Sequence, residues 1–232
     1  MDVVYPYKRT PGDVELRYSL RSLSNMPHGR VIVAGESPRA KLNVTKVGVA
    51  RELNRYAAST QNIFEAARRA VETDHFIVMN DDMFVLKPWT FRHEHRCTIE
   101  EYLASDAPKG GYRNHATTTR DILKAHGVAD PLFFGMHTPT VYERSKLIDL
   151  VKEFKGKRYL LRTLYHNLFP QPSERREDVK ARTWAGEPAH QDVLSISDGC
   201  ARDPQFLAWI AARFPNPSRY EAVADSRARR VA

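Results

Sequence analysis

An apolar strand followed at once by acidic residues is encoded in the run Phe76-Ile77-Val78-Met79-Asn80-Asp81-Asp82-Met83-Phe84. The first four residues include no polar side chain, as expected of a strand that is covered on both faces. In open α/β sheets, ligands bind at the carboxyl ends of the strands. The three polar side chains at 80–82 are therefore expected to face a crevice.

The acidic pair at 81–82 predicts a divalent metal site. Ionised carboxylates are costly to bury unless they are paired or bind a metal. Hard oxygen ligands suit Mg²⁺ or Mn²⁺, which are often shared with substrate phosphates. The alternative is a surface turn, because Asn and Asp are common turn residues. The apolar residues on both sides favour the metal site, with Asn80, Asp81 and Asp82 as ligands and Asp82 as the first choice.

The sequence around this run alternates strand and helix signals. Upstream strands are predicted at Val3–Tyr5, Val31–Ala34 and Val44–Val49, and Leu16, Leu20 and Leu23 form one face of a helix. The alternation predicts an α/β, Rossmann-like fold: a mostly parallel sheet flanked by helices. The second half is more helical, with a capping box at Thr98 and Glu101. Residues 170–188 are expected to be a loop or lid, and Val193–Ile196 to return to the sheet.

Length and composition set the wider limits. The 232 residues fit one domain over 1–220, with a nucleotide-binding half at about 1–90, an acceptor-side half at about 91–220, and a basic tail at 221–232. No apolar run is long enough to span a bilayer, and we see no secretory signal. Two cysteines suit a reducing compartment, so a cytoplasmic location is expected. The net charge of +8 is scattered and assigns no partner.

Two separated segments carry a family resemblance. The segment Glu15-Leu16-Arg17-Tyr18-Ser19-Leu20-Arg21-Ser22-Leu23, followed by Asn80-Asp81-Asp82, resembles a shared region of the Stealth family of sugar-1-phosphate transferases. The whole chain looks still more like short glycosyltransferases of actinobacterial bacteriophages. Both groups are similar to GT-A-type transferases, in which an Asp-x-Asp-like motif holds a divalent cation against the donor diphosphate. Here Asn80 takes the first position of that pattern.

The resemblance implies a GT-A-like fold, Mn²⁺ or Mg²⁺, and a nucleotide-diphosphate sugar as donor, with a UDP-sugar as first choice. For a phage enzyme it implies the host cytoplasm and a phage structural protein as acceptor. A glycan or modified DNA stays open as the acceptor.

Several residues are expected to bind the donor. Arg17 and Arg21 are four apart and share a helix face, and arginine forks match phosphate oxygens. The alternative is an exposed basic face. Arg55 and Asn62 precede the metal strand much as donor-binding residues do in similar transferases, although Asn62 would also suit a helix cap.

Further residues are expected in the active site. His137 follows the predicted strand Leu132–Phe134, and His-x-Pro here is similar to a Stealth motif with an active-site histidine. Stealth proteins have a functional arginine at a comparable distance after this histidine, which implies that Arg162 holds donor phosphate. In that role, loss of Arg162 is expected to cost little stability. Asp192 and His190, which precede the predicted strand at 193–196, are the candidates for an acceptor-activating base.

The predicted function is metal-dependent sugar transfer from a nucleotide-diphosphate sugar. The nearest alternative is Stealth-like transfer of sugar 1-phosphate. A basic nucleic-acid-binding protein or metal nuclease is the alternative from another class, because paired carboxylates also serve two-metal hydrolysis.

Overall fold

The computed structural model describes residues 1–50, 54–106 and 110–221, apart from the side chain of Arg55. Within these ranges the strands are β1 (Asp2–Tyr7), β2 (Val31–Gly35), β3 (Thr45–Gly48), β4 (His75–Val78), β5 (Met83–Val85), β6 (Glu94–His95), β7 (Cys97–Thr98), β8 (Leu132–Phe133), β9 (Thr140–Glu143), β10 (Glu174–Arg175), β11 (Lys180–Ala181) and β12 (Val193–Ile196). The helices are α1 (Val14–Ser22), α2 (Arg55–Arg69), α3 (Ile99–Ala104), α4 (Gly111–Ala125), α5 (Arg144–Glu153), α6 (Leu161–Leu168) and α7 (Pro204–Arg213).

The main sheet has the strand order β3-β2-β1-β4-β9. β1 pairs in parallel with β2 and β4, and β2 pairs in parallel with β3. β9 joins antiparallel to β4, with Thr140 opposite Val78. Because β9 runs in the opposite direction, it begins at the edge where β1, β2 and β4 end. The predicted mostly parallel sheet is confirmed, with an antiparallel edge strand that the sequence did not reveal.

Helices cover both faces of the main sheet, as predicted. The leucine face of α1 packs on one side, and Leu16, Leu20 and Leu23 are each at most 1% exposed. α2 and α5 pack on the other side, where small residues such as Ala66 let α2 approach the strands closely. The chain after β7 is rich in helices, and its first helix begins with the predicted capping box of Thr98 and Glu101.

A smaller sheet with the order β11-β12-β5 lies beside the main one. β12 pairs antiparallel with β5, with Ser195 opposite Met83. Residues 193–196 are thus a strand, but their predicted return to the main sheet is wrong, because β5 offers a nearer partner. The strand before His137 likewise lies outside the main sheet, where β8 pairs with β7.

The expected lid at 170–188 contains two short strands. β10 pairs with β6, and β11 pairs with β12. We call residues 174–182 the strap, since both of its ends are held by strand pairing. Glu221 forms an isolated bridge with Leu42, and the rest of the predicted basic tail, 222–232, lies outside the described residues. In the described ranges, no helix is long and apolar enough to cross a membrane.

Candidate active site

A group of carboxylates lies at the carboxyl edge of the main sheet. Asp81 and Asp82 follow β4 directly, as predicted, and Glu15 lies in the first turn of α1. Burial and the charges of Asp82 and Glu15 raise the pKa of Asp81 to about 8. Burial and the charges of Asp82 and Asp198 raise the pKa of Glu15 to about 7. Burial and the nearby carboxylates therefore favour the protonated forms of Asp81 and Glu15 unless further positive charge lies beside them.

Asp82 has one strong partner. Its Oδ2 atom accepts a hydrogen bond from Lys180 Nζ at 2.5 Å and another from Ser195 Oγ at 3.3 Å. Its Oδ1 atom is buried and has no partner in the described part of the chain. The side chains of Asp82 and Lys180 are 17% and 20% exposed, so solvent screens this pair only in part. Sequence reasoning missed Lys180, Ser195 and Glu15.

Two serines of the Glu15–Leu23 segment bind the backbone of β5. Ser19 Oγ donates to the carbonyl of Met83 at 2.6 Å, and Ser22 Oγ accepts from the N–H of Val85 at 3.0 Å. These bonds fix α1 against β5. The same helix register brings Glu15 to the carboxylate group, so this motif positions the acidic site.

Arg17 and Arg21 have a partner on the C-terminal segment. Both guanidinium groups bind the carboxylate of Glu221, at 2.9 Å and 2.8 Å. Arg21 also donates to the carbonyl of Phe214 at 2.9 Å. Burial opposes ionisation of Glu221, but hydrogen bonds from Arg21, the Ser218 N–H and Arg17 lower its pKa to about 2. The two arginines thus fasten the C-terminal segment and do not reach the carboxylate group.

Asn62 lies where β1 and β2 end. Gly35 closes β2 with φ of 120°, and a Cβ there would lie 2.3 Å from the carbonyl oxygen of Tyr7 and 2.5 Å from Asn62 Nδ2. Glycine is therefore required at 35, and Asn62 lies beside the carboxyl ends of β1 and β2. Asn62 is inside α2, whose N-cap is Asn54, so it is not a helix cap, and its donor contact stays a prediction. The side chain of Arg55 lies outside the described residues.

Asn80, His137 and Arg162 line one cavity of about 260 Å³. His137 lies in the loop that leads into β9, and β9 begins at the edge where β4 ends. His137 thus lies near the end of β4 through the loop before β9, whereas the strand expected to carry it, β8, is not in the main sheet.

His137 forms a pair with Asp178 of the strap. Its Nδ1 lies 2.7 Å from Asp178 Oδ2, and its backbone N–H donates to Asp178 Oδ1 at 3.0 Å. Burial opposes ionisation of Asp178, but the bonds from His137 hold its pKa below the ordinary value. A carboxylate at Nδ1 favours the tautomer in which Nε2 is the proton acceptor. Sequence reasoning missed Asp178 because it treated this segment as an irregular loop.

Arg162 is tied to the loop that carries His137. Its NH1 donates to the carbonyls of Met136 and Thr138 at 2.9 Å and 2.7 Å, and its NH2 donates to Thr138 Oγ1 at 3.1 Å. Its Nε is buried without a partner among the described residues. Burial lowers the pKa of this guanidinium. These bonds support the loop, so the expectation that Arg162 contributes little to stability does not fit the structure.

Asp192 lies away from the carboxylate group. It precedes β12 and pairs with Arg92 at 3.2 Å, while Ser195, three residues on, contacts Asp82. Three residues of extended strand place Asp192 about 10 Å from Ser195. The structure therefore does not bring Asp192 to the other predicted site residues.

The carboxyl edge fits a divalent cation. Within residues 1–50, 54–106 and 110–221, no three or more His, Cys, Asp or Glu side chains form a ready set of metal ligands. Mg²⁺, however, is usually bound by one or two carboxylates together with substrate phosphates, and not by a complete protein cage. The unpartnered Asp82 Oδ1 and the crowded charge of Asp81 and Glu15 meet that description.

Comparison with known proteins shows the fold. No family model matches the sequence, and no curated protein matches it. The structure is similar to that of an active-site mutant of LgtC, with a TM-score of 0.51 and 14% identity over 94% of this chain and 98% of that chain. It is also similar to the galactosyltransferase LgtC in complex with donor and acceptor sugar analogs, with a TM-score of 0.52 and 12% identity over the same shares. The predicted GT-A-type glycosyltransferase fold is thereby confirmed.

Proposed function

We propose that the chain is a glycosyltransferase that transfers a sugar from a nucleotide-diphosphate sugar, with a UDP-sugar as the first choice. The observation that carries the proposal is the carboxylate group of Glu15, Asp81 and Asp82 at the carboxyl edge of a GT-A-type sheet. LgtC, whose fold is similar, is a galactosyltransferase that binds donor and acceptor sugar analogs. The proposal takes the same edge of the sheet as the donor site.

Asp81 and Asp82, with the amide of Asn80, are the residues that would hold Mn²⁺ or Mg²⁺. When bound, the cation supplies positive charge that stabilises the departing nucleotide diphosphate. Lys180 acts electrostatically on Asp81 and Glu15, and Arg202 acts on Glu15, so both add positive charge at this edge. Asn62, at the ends of β1 and β2, provides a polar group beside the donor.

His137 and Asp178 form the proposed acid–base pair. Asp178 accepts a hydrogen bond from Nδ1–H of His137, which leaves Nε2 as the nitrogen that takes a proton from an acceptor hydroxyl. Both side chains belong to elements that meet the carboxyl edge, because His137 precedes β9 and Asp178 belongs to the strap. Arg162 contributes by holding the backbone of the His137 loop in place.

The resemblance to actinophage enzymes adds a phage structural protein to the possible acceptors, beside a glycan and modified DNA. The related Stealth reaction would use the same donor site but release a different nucleotide. Transfer of sugar releases UDP from a UDP-sugar, whereas transfer of sugar 1-phosphate releases UMP.

The test is calorimetric binding of UDP-sugars to the whole chain in Mn²⁺ and in EDTA, followed by identification of the nucleotide released. We expect binding in Mn²⁺, a large loss of affinity in EDTA, and UDP as product. Unchanged affinity after chelation would remove the metal from the proposal, and UMP would favour the Stealth-like reaction. DNA binding that falls steeply with salt, without any nucleotide-sugar binding, would favour a nucleic-acid-binding protein.

A further inference from the structure

A second polar groove of about 650 Å³ runs along the strap. One wall comes from the strap itself, and the other comes from Arg96, Cys97 and the start of α3. The strap is pinned at both ends, where Glu174 pairs with Glu94 and Lys180 pairs with Ser195. This wall is therefore a fixed part of the fold.

The groove is lined mainly by cations. Its charged residues are three carboxylates and five basic groups: Glu101, Glu177 and Asp178 against Arg96, Arg175, Arg176, Lys180 and Arg182. Two of the carboxylates are already engaged, since Asp178 binds His137 and Glu101 binds the backbone N–H of Thr98. Among the described residues, the guanidinium groups of Arg96 and Arg182 make no hydrogen bond and no ion pair within 4 Å, and Arg96 acts on Asp178 only through longer-range electrostatics.

The groove meets the candidate active site at two points. Asp178 lines the groove and holds His137, which lines the cavity beside Asn80. Lys180 also lines the groove and contacts Asp82. A ligand in the groove would thus contact residues that also bind the proposed proton acceptor and the carboxylate group.

We propose that this groove binds the acceptor and that the acceptor is an acidic sugar, whose carboxylate binds Arg96 and Arg182. The inference rests on the proposed glycosyltransferase function and names the acceptor class for it. Arginine forks bind carboxylates through paired, charge-assisted hydrogen bonds. The hydroxyl that accepts the donor sugar then lies near His137.

The size and lining of the groove favour a sugar over a nucleic acid. A volume of about 650 Å³ is within the range of small-ligand sites and suits a few sugar rings. Proteins that bind single-stranded nucleic acid combine basic grooves with aromatic side chains on which bases stack. The aromatic residue in this groove, Tyr102, is only 4% exposed and stacks on Phe133.

The test compares two small glycosides that differ at one carbon. p-Nitrophenyl β-D-glucuronide has a carboxylate where p-nitrophenyl β-D-glucoside has a hydroxymethyl group. We expect ligand-observed NMR titration of the whole chain to show about tenfold tighter binding of the glucuronide. The preference should disappear in the double variant Arg96→Gln/Arg182→Gln. Both arginines are exposed, so the variant should fold, and its melting temperature checks that it does.

Cys97 gives a second readout that localises the ligand. It lines the groove, whereas Cys200 is buried. The glucuronide should slow alkylation of Cys97, measured at mildly alkaline pH because burial raises the pKa of its thiol. The glucoside at the same concentration should protect it much less.

The matched control is Lys155→Gln/Arg158→Gln, which removes two charges from exposed residues that line a different groove. It should keep the glucuronide preference; an equal loss there would assign the effect to net charge and overturn the proposal. Equal binding of the two glycosides, or no glucuronide binding at millimolar concentration, would also overturn it. The proposal would also be overturned if a thymidine oligonucleotide bound the groove in a way that depends on Arg96 and Arg182 while neither glycoside did. UDP binding is measured separately in each variant, so failure of the donor site is recognised independently.

Discussion

Lys180 Nζ lies 2.5 Å from Asp82 Oδ2, so an ammonium group of the chain contacts one of the two carboxylates that are proposed to bind a metal. Two residues away on the same strap, Asp178 binds His137. The strap therefore contacts both the proposed metal site and the proposed acid–base pair. A cation that binds Asp82 meets the positive charge of Lys180 on the same carboxylate.

The first prediction follows from that competition. Lys180→Met removes the ammonium but keeps an unbranched chain of similar length. The variant should bind Mn²⁺ about five- to tenfold more tightly, because a like charge near the cation is lost. Free Mn²⁺ is measured directly by electron paramagnetic resonance, without donor or turnover.

Lys87→Met is the control for that experiment, since Lys87 is exposed and contacts only the carbonyl of Ala189 among the described residues. It makes the same change in net charge and should leave Mn²⁺ affinity nearly unchanged. If Lys180→Met binds Mn²⁺ no better than the wild type, the metal does not bind at Asp82.

The second prediction concerns Arg162. Arg162→Ala removes three hydrogen bonds to the backbone and hydroxyl groups of Met136 and Thr138. It should lower the free energy of unfolding by about 2–3 kcal/mol, because partly buried acceptors lose a charged donor. Urea denaturation measures this change. Arg158→Ala, at an exposed position, should change stability by less than about 0.5 kcal/mol. Full stability of Arg162→Ala would return the residue to the donor-binding role that its position in the sequence suggests.

The third prediction is a pH dependence from Glu221. Its folded pKa is about 2, below its ordinary value of 4.5. A lowered pKa means that the carboxylate stabilises the fold above pH 4.5, and that this contribution is lost as the pH falls from there towards 2. Glu221→Gln should therefore cost about 2–3 kcal/mol at neutral pH and progressively less across that window.

Urea unfolding of Glu221→Gln and wild type at several pH values checks the prediction. Glu187→Gln is the comparison, because Glu187 pairs with Arg213 at an exposed site and should cost little at any pH. A constant difference between Glu221→Gln and wild type across the whole acid range would mean that the Arg17–Arg21–Glu221 contacts do not depend on the charge of Glu221.

Local patterns in the sequence were sufficient for the first half of the fold. The apolar run at 76–79 and the leucine spacing in α1 each report burial directly, and both are found as predicted. β9 was not predicted, because Thr140–Glu143 is short and mixes apolar and polar residues. It is a strand only because β4 offers an edge for pairing. β12 was predicted as a strand, but its pairing was not, because its partner is fixed by the position of β5.

The residues of the candidate site also differ in whether the sequence alone could predict them. Asp81 and Asp82 could be predicted because they follow a recognisable strand. Lys180 and Asp178 could not, since 98 residues separate Lys180 from Asp82 and 41 separate Asp178 from His137. Contacts of that range depend on the topology and leave no periodic signal. Arg17 and Arg21 show the converse: their chemistry suited a phosphate, but a carboxylate from the far end of the chain lies against them.

The last prediction tests Asp82 itself. Asp82→Asn nearly preserves shape but removes the charge that the cation and Lys180 share. It should lower sugar transfer by orders of magnitude, because stabilisation of the leaving group supplies much of the rate. The free energy of unfolding should change by no more than about 1 kcal/mol, since loss of the Lys180 pair is offset by relief of repulsion with Asp81 and Glu15.

Asp192→Asn is the matched control. It makes the same chemical change at a residue about 10 Å from Ser195, the β12 residue that contacts Asp82, and should keep most of the activity. The measurement is nucleotide release from the UDP-sugar together with urea unfolding for both variants. Full turnover by Asp82→Asn would refute its assignment as a metal ligand, and loss of turnover by Asp192→Asn alone would move the catalytic base to Asp192.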